Sequence, residues 1–264
     1  MKLSVIIIGY NSWHFLDRCL MSLSFIDIRL DNEIIYVDNG SGDGSFLKAK
    51  DRCPGIKILR NLWNEGVSVA RNQGMKAAAG EYFLLLDSDT EITPGALEDM
   101  LAFMKEHPEA GLCGCKTFGP TGEIHDSCRP FPTLGGKLTA GWRILANKLH
   151  LPVKEPRPYY NKDASEPFEV DYVVGACQMI RRKAQEKIGW MDEHIFYGPE
   201  DADFCLRMQQ AGYKVYFLPQ TVIYHAYQRL SSHKIFSRLN WKHIQGLLYY
   251  FKKHARKKTS NKQC

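Results

Sequence analysis

Between residues 3 and 116 five short apolar runs alternate with longer segments. That alternation constrains the fold more than any other feature. The runs are Leu3–Gly9, Glu33–Val37, Ile56–Leu59, Tyr82–Leu86 and Gly111–Lys116. Each has the length and residue type of a buried strand. Asn11 or Ser12 can cap a helix through about Leu23, on which Phe15, Leu16, Cys19, Leu20 and Leu23 recur at helical spacing. Val67–Ala79 reads as a helix stopped by Gly80. Thr93 as N-cap and Pro94 in the first turn open another, which runs to about Glu106 and ends at His107-Pro108. The order β-α-β-α-β-α-β-α-β predicts a Rossmann-like, mostly parallel central sheet flanked by helices on both faces. The first strand is followed by Gly9-Tyr10-Asn11-Ser12, so neither a Gly-x-Gly-x-x-Gly turn nor a Walker loop cradles a diphosphate here.

The fourth run ends in Asp87-Ser88-Asp89. On an extended backbone, positions i and i+2 face the same side, so the two carboxylates converge past the carboxyl end of a strand. Ligands of open α/β sheets sit there. Paired anions repel unless a cation or donors lie between them, and hard oxygen ligands suit Mg²⁺ or Mn²⁺ shared with substrate phosphates. A polar turn closing the strand is the plain alternative.

Thr117–Phe168 is rich in proline and irregular, with a short helix expected at Gly141–His150; such a segment suits acceptor shaping. Val170–Ile180 is strand-like and carries Gly175-Ala176. Lys183–Ile188 is a short helix closed by Gly189. Pro199 opens a helix with Glu200 and Asp201 in its first turn, where the dipole favours ionised carboxylates. Asp203 and Arg207 form an i,i+4 brace, and Gly212 ends the helix. Lys214–Leu218 and Val222–His225 read as two strands separated by Pro219. Asp38, Asp87/Asp89 and Glu200/Asp201 thus fall at strand or helix ends, and His225 closes the last strand. Acids with one imidazole can make an octahedral metal site.

These segments, in this order and spacing, resemble glycosyltransferase family 2, the inverting sugar-nucleotide enzymes with the GT-A fold. The resemblance covers roughly residues 3–228 and rests on Ser4–Ser12, Val37–Ser45, Asn64–Asn72, Leu86–Thr90, Gly175-Ala176, Glu200–Asp203 and His225. It is nearest to bacterial rhamnosyltransferase-like members that build cell-surface polysaccharides. Phe196–Pro199 departs modestly from the family's usual aromatic-rich lead-in. The resemblance implies that Gly9, Tyr10, Asn11, Asp38, Arg71, Asp87 and Ser88 meet the nucleotide, Tyr10 by packing on the base, Asp38 by accepting an N–H and Arg71 by lying near it, paired with a carboxylate or a phosphate. It implies that Asp89 and His225 bind Mn²⁺ or Mg²⁺, with Asp87 on the ribose or the ion's water shell. Asp201 would be the general base, and Glu200 would hold acceptor hydroxyls. The implied donor is a UDP- or dTDP-sugar and the acceptor a glycan or lipid-linked saccharide. A nucleotidyltransferase and a catalytically silent sugar-nucleotide-binding module are the alternatives.

The implied organisation is a catalytic domain over 1–228, with a nucleotide-binding half (1–116) and an acceptor half (117–228), followed by a basic amphipathic helical tail over 229–264. From Arg229 onward there are ten Lys or Arg and no acid, which leaves 25 basic against 29 acidic residues in the body. The overall charge of +6 is therefore no argument for nucleic acid binding. Ile235, Phe236, Leu239, Ile244, Leu247, Leu248, Phe251 and Ala255 recur at helical spacing among the tail's cations. Such a helix either packs back on the domain or lies on an anionic membrane. No run reaches a membrane span, Leu3–Ile8 reads as a strand and not a signal peptide, and the eight scattered cysteines read as reduced thiols. The expected location is cytoplasmic, with attachment to the inner face of the cell membrane if the tail binds lipid.

Overall fold

The computed structural model of the protein describes residues 2–25, 31–136, 139, 164–226 and 237–260. Strands β1 (Leu3–Gly9), β2 (Asn32–Asp38), β3 (Lys57–Arg60) and β4 (Tyr82–Asp87) run parallel in the order β3-β2-β1-β4. The chain then places β11 (Cys177–Arg181) antiparallel between β4 and β6 (Ala110–Phe118). Next come β12 (Lys214–His225), parallel to β6, and β5 (Thr90–Ile92) at the edge. Short strands β7 (Ile124–His125) and β9 (Phe168–Glu169) pair with β6 and β12, and β8 (Cys128–Arg129) pairs with β10 (Tyr172–Val173). The helices are α1 (Trp13–Ser22), α2 (Ser45–Arg52), α3 (Val67–Ala77), α4 (Ala96–Glu106), α5 (Arg182–Ile188), α6 (Glu200–Gln210) and α7 (Arg238–Ser260).

Side-chain alternation sorts the core into two layers. Leu3, Val5 and Ile7 of β1 and Tyr82, Leu84 and Leu86 of β4 pack with Leu16 and Leu20 of α1 and Met100 of α4. Ile6 and Ile8, with Phe83 and Leu85, point the other way, to Ala70 and Met75 of α3, Phe204 of α6 and Tyr250 of α7. Asp87 continues the Phe83/Leu85 face, so it ends under α3 and α6. The strand ends are in register, Gly9 beside Asp38 and Ile8 beside Asp87. Every motif loop of the first half therefore opens along one carboxyl edge.

Several local expectations are corrected. Gly80 does not cap α3, which ends at Ala77 with Ala78 extended. A Cβ at Gly80 would instead lie 2.7 Å from the Ser4 nitrogen, so this glycine lets the chain cross closely over β1. Helix α4 begins at Ala96 after Gly95 (φ +83°), not at Thr93, whose hydroxyl bonds the Val222 carbonyl. The predicted strand Val170–Ile180 is broken into β10 and β11 by the turn at Gly175-Ala176. Conversely, the two strands around Pro219 are one, β12, with a shift in pairing register between Leu218 and Val222. The helix expected at 141–150 and the start of the tail, 229–236, lie outside the described residues. The seven described cysteines are free thiols. Among the described residues no helix is long and apolar enough to cross a membrane.

Candidate active site

Pairing of β12 with β5 sets His225 opposite Thr90, and the Ala226 N–H bonds the Asp89 carbonyl at 2.9 Å. This brings a residue from far along the chain beside the Asp87-Ser88-Asp89 turn. His225 Nε2 lies 3.2 Å from Asp89 Oδ1, and ligand atoms of Asp87, Asp89 and His225 all fall within 4.8 Å of one another. Burial pulls the imidazole's pKa down, but the Asp89 carboxylate outweighs it and leaves His225 raised. Burial raises the Asp87 carboxyl, the Asp89 charge adds to the rise, and Arg71 opposes both. Crowded anions with one imidazole are a donor set that fits a divalent cation.

Across the face from this triplet, α6 begins after the cis Gly198–Pro199 bond with Glu200 and Asp201. Both Glu200 oxygens are occupied: Arg71 Nη1 donates to Oε1 at 3.2 Å, and the Gly198 N–H donates to Oε2. Burial and the neighbouring Asp201 charge push its pKa up to about 7, against the pull of Arg71. Asp201 is more open. Its Oδ1 takes the Ala202 N–H at 2.7 Å, and its Oδ2 takes only a longer bond, 3.3 Å, from the Gly175 N–H.

Arg71 joins the two clusters. Its Nη2 donates to Asp87 Oδ1 and to the Gly175 carbonyl, each at 2.8 Å, while Nη1 holds Glu200. Burial opposes its charge, but Asp87 and Glu200 more than restore it. A Cβ at Gly175 would collide with the guanidinium, which explains the glycine at this turn. The resemblance offered Arg71 a carboxylate or a phosphate near the nucleotide. The structure gives it two carboxylates, Asp87 and Glu200, whose identity helical spacing could not reveal because both are distant in the chain. Replacing Arg71 with Met leaves the buried Glu200 and the partly exposed Asp87 without their cation, so we expect a loss of up to about 3 kcal/mol, read by urea unfolding. The Glu200 proton carries a second prediction. With its folded pKa raised from 4.5 to about 7, its stability contribution is full below pH 4.5 and is lost as pH rises through 7. Glu200→Gln removes that slope, and the difference between variant and wild-type stability curves measures it.

At the end of β2, Asp38 is fully buried. Its Oδ1 accepts from the Ser41 N–H at 3.3 Å, and its Oδ2 faces the Arg60 guanidinium at 3.6 Å with no hydrogen bond among the described residues. Tyr10 stands half exposed at the same edge. Asn11, at φ +49°, receives the Gly42 N–H on its side chain and donates its own N–H to Ser41. Ser88 bonds the Ser12 hydroxyl at 2.8 Å, and its N–H bonds the Ile8 carbonyl. Gly9 leaves no room for a Cβ beside Ser12. Asn39, which the sequence did not single out, takes N–H bonds from Asn61 and Glu65 and donates to Asn64 and Gly66. It fastens the loop of 61–66 to the end of β2. Two motifs recognised separately in the sequence are thus one hydrogen-bonded unit.

The mostly parallel central sheet flanked by helices is the GT-A fold of glycosyltransferases. The chain belongs to glycosyl transferase family 2, whose family model matches residues 4–189. It is 28% identical over 239 residues to the N-acetylglucosaminyl-diphospho-decaprenol L-rhamnosyltransferase of Mycobacterium tuberculosis, covering 84% of this chain and 75% of that protein. Two solved structures share the fold. One is a mannosyltransferase from Pyrobaculum calidifontis in complex with GDP-Man and Mn²⁺: TM-score 0.66, 18% identity, 97% of this chain and 64% of that one. The other is GalNAc-T7 with UDP, GalNAc and Mn²⁺: TM-score 0.65, 19% identity, 88% of this chain and 44% of that one.

Proposed function

We propose that this glycosyltransferase is metal-dependent and inverting, and that it moves a sugar from a UDP- or dTDP-sugar to a hydroxyl of a glycan or lipid-linked saccharide in cell-surface polysaccharide synthesis. The observation that carries this reading is the Arg71 bridge, which ties Asp87 of the donor-side cluster to Glu200 beside Asp201. Residues 1–228 are the catalytic unit, with the nucleotide held by 1–116 and the acceptor by 117–228. Tyr10 packs on the base, Asp38 accepts from it, and Gly9, Asn11 and Ser88 shape the diphosphate side of that pocket. Asp89, His225 and Asp87 would hold Mn²⁺ or Mg²⁺, which would supply positive charge against the departing nucleoside diphosphate. The Asp201 carboxylate takes the proton of the acceptor hydroxyl as its oxygen bonds to the anomeric carbon and the bond from that carbon to the diphosphate breaks. Glu200, fixed by Arg71, orients acceptor hydroxyls.

The lipid-diphosphate acceptor named for the mycobacterial relative supports a lipid-linked acceptor here, and hence work at the inner face of the cell membrane. UDP-, dTDP- and GDP-sugars incubated with Mn²⁺ or Mg²⁺ test the reading. Slow release of free nucleoside diphosphate from a UDP- or dTDP-sugar is the expected result. Release of pyrophosphate from a nucleoside triphosphate would make the chain a nucleotidyltransferase, and the absence of both reactions would make it a silent binding module.

A further inference from the structure

Helix α7 has two faces, and among the described residues only one of them is packed. Its inner face is fastened to the segment that leads into Glu200-Asp201. Tyr249 and Lys253 bond Asp192 at 3.1 and 2.7 Å, and Lys253 and His254 reach Asp203 at 2.7 and 2.8 Å. Gly246 packs against the Gly198 carbonyl, where a Cβ would approach to 2.5 Å. The outer face carries Trp241, Ile244 and Leu248, which are 62%, 46% and 63% exposed and follow one another at helical spacing. Exposed Arg238 and Lys252 border them at either end. A shallow hollow of about 440 Å³, lined in part by Ser237, Arg238 and Trp241, opens on the same face. No Asp or Glu follows Asp203 in the sequence.

We propose that this outer face of α7 docks on an anionic lipid bilayer, with the three apolar side chains in the acyl boundary and the flanking cations on lipid phosphates. Packing on the domain and lying on a membrane, alternatives in the sequence, become the two sides of one helix. Charge decides between a bilayer and a second copy of the chain. Two such faces would set cation against cation, whereas an anionic surface complements them. Because the inner face grips Asp203 and Gly198, docking sets the acceptor side of the site beside the headgroups. The proposal deepens the reading of a lipid-linked acceptor and rests on it for that last consequence.

Co-sedimentation of the full chain with vesicles of phosphatidylglycerol and phosphatidylcholine tests it, with pure phosphatidylcholine vesicles as comparison. The wild-type chain should bind the mixed vesicles, bind the neutral ones weakly, and be released by salt. Both the W241S/I244S/L248S and R238E/K252E variants should lose about tenfold or more in partitioning. Equal vesicle binding by wild type and variants would overturn the proposal. So would a concentration-dependent dimer that the triple variant abolishes, with no vesicle binding. Donor hydrolysis is measured without vesicles on the same preparations. It tests the transferase reading separately, and the outer-face variants should leave it unchanged.

Discussion

Asp201→Asn should bind donor nucleotide normally and lose transfer by about 10²- to 10⁴-fold, the range that one positioned general base contributes. The expectation follows from how the two adjacent acids are engaged. Glu200 spends both oxygens on Arg71 and the Gly198 N–H, and burial favours its protonated form. Asp201 keeps Oδ2 on a single long bond to Gly175 and is the less buried of the two. A base needs an accessible lone pair, and Asp201 is the more open and the less tightly engaged of the pair. Nucleotide affinity from titration calorimetry and turnover from product release should separate: the first unchanged, the second nearly gone. If Asp201→Asn transfers sugar at a near-normal rate, Asp201 is not the base.

The second large effect is expected at the triplet. Asp89→Ala and His225→Ala should each lower activity by about 10²- to 10³-fold, the cost of removing one preorganised electrostatic element from a developing negative charge. Exhaustive chelation should abolish activity in the wild-type chain, and Mn²⁺ or Mg²⁺ should restore it. The variants should need far more added metal to recover part of their rate. Metal-dependent thermal shift gives a readout independent of turnover, and the shift should shrink in both variants. Full activity after chelation would remove Asp89 and His225 from the role of ligands.

The five strands of the first half were legible because buried strands are apolar runs bounded by turn residues, and all five end within two residues of their expected positions. Asp87/Asp89 and Glu200/Asp201 were legible for a related reason: carboxylates at the ends of buried elements are chemically conspicuous. Less could be read where a partner is distant in the chain. A carboxylate partner was one of two expected for Arg71, but which carboxylates could not be read, because Asp87 and Glu200 come from β4 and α6. Thr93-Pro94 looked like a helix start because local preference favours that pair, but the Thr93 hydroxyl found the Val222 carbonyl, and the turn moved on to Gly95. Pro219 looked like a break between strands, yet a shift in register absorbed it within β12. Pairing partners outweighed local preference in both places.

Strand β11 has a consequence for anyone who would exchange parts between relatives of this enzyme. It comes from the second half of the chain but sits between β4 and β6, bonded to both. A cut at residue 116 would strip β4 of its neighbour and bare a row of amide groups. Neither piece would be a finished sheet. Grafts meant to change donor preference should therefore replace the loops on the carboxyl edge and leave the interleaved strands in one continuous host.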